Sequence, residues 1–304
     1  MSNPAFVIPA GTKVAAVMPD VLPYIKPRRG LLGFIRNYPT IAFGVAILLV
    51  MVIIAVFTQF LWTSDPTALS TIRRNREPSL TAWFGTDMYG RDLYSRVLYG
   101  ARVSLLVGFS VAVFASIAGL AIGPISGYVR ILDSIIMRVM DGIMSVPPIL
   151  LAVALMALSG GSMSNVIIAI TIAEIPRVAR LVRSVVLSLR EQPYVDAAIA
   201  AGTRTPTIIF RHILPNTLAP MIVQASYICA SAMLTEAVLS FIGAGIPPTT
   251  PSWGNIMAEG RALWQVKFYI ILFPAMFLSL TVLAVNLLGD GLRDWLDPRM
   301  AKGA

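Results

Sequence analysis

The sequence is poor in charge, because Asp, Glu, Lys and Arg make up only 13% of its 304 residues, whereas 57% are hydrophobic. A soluble domain of this size needs more charge to cover its surface. Cysteine is almost absent too, since Cys229 is the only one and lies in an apolar run. This setting favours packing over thiol reactivity. These shortages indicate a membrane protein without an internal disulfide.

Sequence patterns typical of enzymes are also missing. No group of His, Cys and carboxylate residues has the spacing of metal ligands, and no nucleophile–base pair is visible, so we predict no metal site and no catalytic residue. The phosphate-binding pattern G-x-x-x-x-G-K-[S/T] is absent. We therefore expect no nucleotide-binding site and no cofactor on this chain.

The charge that is present is mostly basic, with a net value of +9. On a soluble protein this excess would suggest nucleic acid as a partner. In a membrane protein, however, lysines and arginines gather in loops, set the orientation and meet anionic lipid. We therefore predict the lipid bilayer as a partner and no nucleic acid.

Long apolar runs dominate the chain. About 20 apolar residues cross a bilayer as a helix, and runs that are continuous rather than alternating exclude a β-barrel. Pro147–Pro148 would kink the third run, and Arg177, Arg180 and Arg183 interrupt the fourth. We predict an all-α polytopic membrane protein with six transmembrane helices, at about 41–62, 103–127, 134–158, from 166 onward, 217–245 and 268–288.

Six spans place both termini on the same side of the membrane. The basic tail before the first span indicates that this side is cytoplasmic. The loop between the fourth and fifth spans is then cytoplasmic as well, although 63–102 and 177–211 carry six arginines each. The expected parts are a cytoplasmic tail 1–40, a first transmembrane helix 41–62, an extracytoplasmic connection 63–98, a five-helix core 99–290 with the loop 188–215, and a cytoplasmic tail 291–304.

The segment 194–216, YVDAAIAAGTRTPTIIFRHILPN, is polar although it lies between two apolar runs. We expect a helix over 190–201. Gly202 would end this helix, because glycine readily adopts the left-handed conformation found just past helix ends.

A second short helix is expected to follow. Thr205 would cap it, with Pro206 at the first helical position, where a missing N–H costs nothing. The helix would cover 207–213. Pro215 would then separate it from the next apolar span.

The surface of this segment fits the docking of another protein. We expect the second helix to expose Ile208, Ile209 and Phe210, and three bulky apolar residues in a loop are unusual unless something covers them. The first helix would add a smooth surface of alanines at 197, 198, 200 and 201. An amphipathic helix lying on the lipid surface fits these residues equally well. His212 is expected to make a contact or a cap rather than relay protons.

Three carboxylates, Asp141, Glu174 and Glu236, lie at membrane depth in the predicted spans. Ionisable groups there are costly, so they face a cavity or a partner. They either line a substrate pathway or pair with Arg138, Arg177 or the backbone for packing. We favour the packing role.

The segment 194–216 resembles the EAA loop of ABC-importer permeases, in its acidic–Ala–Ala triplet, its glycine four residues on, and its later Leu–Pro. In that family the loop forms a coupling helix that enters a groove on the ATPase. Asp196 stands where glutamate is usual, and His212 where isoleucine is often found. The resemblance implies a coupling role for Asp196, Ala197, Ala198, Gly202, Pro206, Ile208, Phe210, His212, Leu214 and Pro215.

Strings at 84–108, 239–261 and 286–299 resemble the C-type permease subunit of dipeptide/oligopeptide ABC importers, and the likeness covers about residues 40–299. It implies a type I ABC-importer permease fold in the cytoplasmic (inner) membrane and transport of peptides or peptide-like solutes. It also implies a second related permease subunit, two cytoplasmic ATPase subunits that carry ATP and Mg, and an extracytoplasmic solute-binding protein. Two other interpretations are an ion-coupled secondary transporter and a non-transporting scaffold.

Two stretches on the expected outer side remain. GRDLYSRVLYGAR, at 90–102, fits either an amphipathic helix at the membrane interface or part of a dock for the binding protein. Trp253 and the prolines around it are expected to shape a lid or a re-entrant turn.

Overall fold

The computed structural model describes residue 35 and residues 38–296. Within these residues the chain is helical, and β-structure is limited to two isolated bridges. Nearly all of the expected tail 1–40 and most of the expected tail 291–304 lie outside the described residues. The α-helices are α1 (Pro39–Phe57), α2 (Leu93–Tyr128), α3 (Arg130–Met144), α4 (Pro148–Ser159), α5 (Met163–Arg190), α6 (Pro193–Ala200), α7 (Thr205–Ile208), α8 (Leu214–Phe241), α9 (Trp253–Gly260) and α10 (Tyr269–Leu296).

Four helical stretches are long and apolar enough to cross a membrane, namely α1, α2, α10 and the stretch Thr205–Phe241 that contains α8. The third expected span is a bent pair, because α3 and α4 meet at 85°. Pro147 and Pro148 lie at this bend, where proline removes a backbone donor and restricts the residue before it. The expected kink is therefore a complete break between two helices.

The fourth expected span, α5, has 28 residues but is too charged to count as a span by composition. Length and composition thus support four spans, or five when the bent pair is taken as one. The count of six stays a prediction. Two boundaries also differ from expectation, since α2 begins at Leu93 and α10 continues to Leu296.

Helices α2 and α5 pack against each other through small residues. An added Cβ at Gly119 would lie 2.3 Å from Val178 Cγ1, and one at Gly123 would lie 2.5 Å from Val182 Cβ. Glycines four residues apart share one helix face and allow close approach of a neighbouring backbone. Three glycines on α2 meet three valines on α5 in this way: Gly119, Gly123 and Gly127 face Val178, Val182 and Val186.

A cluster of buried hydrophobic residues joins α1, α2, α8, α9 and α10. Trp253 is fully buried at the start of α9, and its indole Nε1 donates a hydrogen bond to the Val97 carbonyl oxygen at 3.0 Å. An added Cβ at Gly254 would lie 2.7 Å from Ala237 Cα, which shows how closely α9 approaches α8. The expected lid or re-entrant turn is therefore a short helix packed firmly among the long ones.

The connection between α1 and α2 is compactly folded. Its backbone is tied by hydrogen bonds such as Ser70 N–H to the Tyr89 carbonyl oxygen and Asn75 N–H to the Asp87 carbonyl oxygen. Gly90 has a φ of +75°, and an added Cβ there would lie 1.8 Å from the Ser70 carbonyl oxygen. Only glycine fits this turn.

Candidate functional site

The polar segment begins with a break rather than a continuous helix. A single helix over 190–201 was expected, but α5 ends at Arg190 and α6 begins at Pro193. Gln192, which precedes the proline, is extended with ψ of 141°. Proline disfavours the helical conformation of the residue before it, which explains the break.

Gly202 ends α6 as predicted. Its φ is +76°, its N–H donates to the Ile199 carbonyl oxygen at 2.9 Å, and the Thr203 N–H donates to the Ala198 carbonyl oxygen at 3.0 Å. This pair of bonds is the Schellman motif, which satisfies the last carbonyls of a helix. An added Cβ at Gly202 would meet no atom within 4 Å. The need for glycine is therefore a matter of backbone conformation and not of space.

The second helix differs from expectation at both ends. Thr205 is not the cap, because α7 begins at Thr205 itself, Arg204 precedes it, and no side chain caps the helix. At the other end a π-turn, Ile209–Ile213, carries a hydrogen bond from the Leu214 N–H to the Ile209 carbonyl oxygen. The chain then enters α8 directly, with Pro215 in the first turn, where a missing N–H is tolerated. The expected separation at Pro215 is wrong, and the segment is helical from α7 into α8.

The expected row of three exposed apolar residues is also wrong. Phe210 is 70% exposed, whereas Ile208 is 1% exposed and belongs to a buried cluster with Val195 and Ile213. Successive helical residues are about 100° apart, so three in a row cannot share one face. Ile208 anchors the short helix to the core, and Phe210 is left as its exposed apolar side chain.

The remaining predicted residues of the loop lie mostly at its surface. Asp196 and Ala197 are exposed, and Ala198 is half-buried against the core. The His212 ring lies 6.4 Å from the Tyr194 ring, which brings the two ends of the loop together. The loop therefore presents a helical surface that is partly apolar and partly charged.

Two of the three carboxylates that were predicted at membrane depth form ion pairs with arginines of α5. Glu174 meets Arg177 one helical turn away, at 3.0 Å, as expected. Asp141 on α3 meets Arg180 at 2.6 Å, rather than Arg138 or Arg177. A second pair, Asp133 with Arg183, also joins α3 to α5. The partners of Asp133 and Asp141 depend on the packing of α3 beside α5, and the spacing of residues in the sequence does not show that packing.

Glu236 has a different setting. Its side chain is 0% exposed, accepts a hydrogen bond from Ser240 Oγ at 2.8 Å and lies 3.4 Å from Ser104 Oγ. None of the ion pairs found in residues 38–296 involves it. Hydroxyl groups therefore take the place of the expected arginine, and the carboxyl links α2 to α8 in the core.

Sequence reasoning missed a buried network beside α9. Asp87 accepts from Arg91 Nε and from Arg96 Nη1, each at 2.6 Å, and Arg96 also contacts Glu259 at 2.7 Å. Arg96 is 1% exposed and Arg91 is 8% exposed, so neither side chain offers its charge to a lipid or to a docking protein. The pair Asp87–Arg91 could have been predicted from the sequence, because the two residues are four apart. The contact of Arg96 with Glu259 could not, because these residues are distant in the sequence.

In the described part of the chain, no group of three or more His, Cys, Asp or Glu residues is arranged to hold a metal ion. The loop 188–215 is a largely exposed helical segment that follows α5 after a short break and continues directly into α8.

Comparisons with known proteins agree with the resemblance in the loop. Residues 113–302 match the family described as binding-protein-dependent transport system inner membrane component. A probable peptide ABC transporter permease protein of Sinorhizobium fredii is 51% identical, over 87% of this chain and 90% of the relative. The dipeptide transport system permease protein DppC of Alkalihalophilus pseudofirmus is 42% identical, over 84% and 85%.

A third relative is the glutathione transport system permease protein GsiD of Pectobacterium atrosepticum, 39% identical over 88% of this chain and 89% of its own length. Among solved structures, the inward-facing MetNI methionine ABC transporter matches with a TM-score of 0.53 and 18% identity, over 68% of this chain and 95% of the other. This match confirms the expected fold. The chain belongs to the family of binding-protein-dependent transport system inner membrane components, as a multi-pass permease subunit of an ABC importer.

Proposed function

We propose that this chain moves peptides or peptide-like solutes across the inner membrane, and that separate ATPase subunits drive it through the loop 188–215. The named substrates of the relatives, peptides, dipeptides and glutathione, support this substrate class. The single observation that carries the coupling is the exposed helical loop between α5 and α8, which continues without a break into α8.

The shape of the loop supports transmission of movement. Phe210 is 70% exposed on the stretch that runs without interruption into α8, so a partner that grips Phe210 holds the end of a long helix. Ile208 anchors this end in the buried cluster, and the Schellman motif at Gly202 holds the turn between α6 and α7. A rigid-body shift of the partner would therefore move α8 against its neighbours and change access to the pathway.

The assembly we propose contains a second related permease subunit, two cytoplasmic ATPase subunits that carry ATP and Mg, and an extracytoplasmic solute-binding protein. The family description, which names dependence on a binding protein, and the missing phosphate-binding loop support it. Both termini and the loop lie in the cytoplasm. Asp141, which is 64% exposed in its pair with Arg180, then faces the second permease or the pathway, while Glu236 is a packing group.

Uptake by proteoliposomes tests this function. We expect uptake of a labelled dipeptide by the assembled importer to need ATP on the cytoplasmic side and to survive ionophores that collapse ion gradients. Phe210→Ala should abolish this uptake, since the loop loses its exposed aromatic anchor.

Phe109→Ala is the matched control, because Phe109 is 68% exposed on α2, away from the loop. Its uptake should stay near that of the wild type. Uptake that ignores ATP and stops with ionophores would indicate an ion-coupled transporter instead.

A further inference from the structure

A cavity of about 340 Å³ lies in the connection between α1 and α2. Its walls combine aromatic and basic side chains with one carboxylate: Trp62, Trp83, Tyr94, Arg73, Arg76 and Asp92. Nothing in the coupling mechanism uses this place, which we call the connection cavity. Its volume falls within the usual range for small-ligand sites.

The position of the connection cavity relates it to the membrane surface. Helix α1 has 19 residues, which at 1.5 Å per residue spans nearly the whole hydrocarbon core. Phe60 and Trp62 follow directly and are 71% and 90% exposed. Aromatic side chains just beyond a membrane helix lie at the level of the lipid headgroups, so the cavity opens at that level.

The aromatic wall of the cavity is already in place. The Trp83 and Tyr94 rings meet edge to face with centroids 4.9 Å apart, and the Tyr94 hydroxyl donates to the Leu61 carbonyl oxygen at 3.1 Å. Trp62 has a φ of +50°, a conformation that bulky residues rarely adopt. The Trp62 indole is 90% exposed in this conformation, so its ring is open to a ligand at the cavity.

The charges at the cavity favour an anion. None of the ion pairs formed within residues 38–296 involves Arg73 or Arg76. The Arg76 guanidinium donates through Nη2 to the Ile72 carbonyl oxygen. The N–H and the hydroxyl of Ser95 both donate to Oδ2 of Asp92, and none of the same ion pairs joins Asp92 to an arginine. The nearby carboxylate of Glu77 pairs with Lys267 at 2.6 Å, and this hydrogen bond lowers the pKa of Glu77. Both arginines therefore keep donors free.

We propose that the connection cavity binds the phosphodiester headgroup of a phospholipid, with Arg73 and Arg76 on the phosphate and Trp62 and Trp83 against the glycerol and upper acyl carbons. Guanidinium groups recognise phosphate oxygens through charge-assisted hydrogen bonds. Exposed apolar residues of the same connection, Ile72 at 81% and Leu80 at 97%, fit a position at the lipid surface. The bound lipid would fix the connection against the membrane. This inference depends neither on the substrate nor on the coupling role of the loop.

Lipid retention tests the two arginines. The full chain is reconstituted in nanodiscs of phosphatidylglycerol and phosphatidylethanolamine, returned to phosphate-free detergent, and analysed for bound phospholipid by native mass spectrometry. We expect Arg73→Gln and Arg76→Gln each to lower retention about tenfold, because each removes a charge-assisted contact. Arg74→Gln is the matched control, since Arg74 is exposed in the same segment but does not line the cavity.

Quenching of Trp62 fluorescence in the nanodiscs gives a second readout. The difference between the wild type and Trp62→Phe isolates the signal of Trp62. We expect lipids brominated near the headgroup to quench this signal and aqueous iodide to leave it largely unchanged. Equal lipid loss in Arg74→Gln, displacement of the lipid by excess inorganic phosphate, or shielding of Trp62 only after a solute-binding protein is added would each overturn the proposal.

Discussion

Gly202 determines where the exposed end of the loop points. Its φ of +76° turns the chain between α6 and α7, and the two hydrogen bonds of the Schellman motif hold that turn. Because no atom lies within 4 Å of an added Cβ, a substitution there strains the backbone without a steric clash. Substitutions at Gly202 therefore test the backbone conformation of the turn without disturbing its packing.

We expect Gly202→Val to reach the membrane at a normal level but to lose ATP-driven uptake. A β-branched residue in the left-handed region costs about 1–2 kcal/mol, which is too little to unfold the protein but enough to re-aim α7. Gly202→Asn is the control, because asparagine tolerates this conformation, and it should keep most of the uptake. Full uptake by the valine variant would show that the turn has no role in coupling.

Asp196→Ala should have a milder effect than Gly202→Val. The side chain is exposed and its removal leaves the turn intact, so only a contact with a partner is lost. Uptake and co-purification of ATPase subunits measure the effect. A loss of uptake as large as that of Gly202→Val would mean that the carboxylate is itself essential for docking.

The hydrogen-bond partners of Glu236 predict which substitutions at this position preserve the stability of the protein. Ser104 and Ser240 bond its carboxyl in the core, and an amide can make the same contacts because a hydroxyl donates or accepts. We expect Glu236→Gln to keep the thermal unfolding temperature of the purified protein. Glu236→Ala should lower it, since the variant loses one hydrogen bond within α8 and one to α2, and an interhelical hydrogen bond contributes about 1–2 kcal/mol. Equal destabilisation by both variants would show that the carboxyl group itself is required.

At the scale of the elements, the contact between α2 and α5 explains how a charged helix is held in the bundle. Gly119, Gly123 and Gly127 let α5 approach closely. The ion pairs to α3 then cover part of the charge on α5, which would be costly if exposed to lipid. Packing therefore compensates for a composition that by itself argues against a membrane span.

We expect Gly123→Ala to lower the thermal unfolding temperature, because the new Cβ would lie 2.5 Å from Val182 and overpacking costs about 1–3 kcal/mol. Gly142→Ala is the matched control. Gly142 is also helical, but its added Cβ meets no atom within 4 Å, so alanine should be neutral or slightly stabilising. Unchanged stability in both variants would contradict the close packing of α2 and α5.

At the scale of the whole molecule, the loop 188–215 and the connection 261–268 lie at opposite ends of long helices. Helix α8 leads from the loop to α9, and α9 precedes the connection to α10. A helix of 28 residues is about 42 Å long, which exceeds the thickness of the hydrocarbon core. The two segments therefore face different sides of the membrane if α8 spans it.

Cysteine labelling tests this arrangement and its direction. In a Cys229→Ser background, an impermeant maleimide should label Val266→Cys in intact cells, since Val266 is 73% exposed. It should label Thr207→Cys and Ser188→Cys only after the membrane is permeabilised. Labelling of position 207 or 188 from outside would reverse the orientation and remove the basis for coupling.

Several features were determined by the sequence alone, because they depend on composition or on near neighbours. Low charge and long apolar runs determined the membrane class, the conformational freedom of Gly202 determined the end of α6, and one helical turn brought Glu174 to Arg177. The loop motif and the strings at 84–108, 239–261 and 286–299 likewise indicated the family, since each is a short stretch of neighbouring residues.

Only the tertiary structure decided the features that join distant parts of the chain. Arg180 pairs with Asp141 on another helix, and Arg96 pairs with Glu259 on α9. Ile208 packs in the core rather than lying at the surface. A charged side chain pairs with an opposite charge that the packing of the helices brings near it. Which face of a helix a residue occupies, and so what it contacts, depends on how that helix is rotated against its neighbours. Neither choice is encoded in local spacing, because each depends on elements that meet only after the helices have packed.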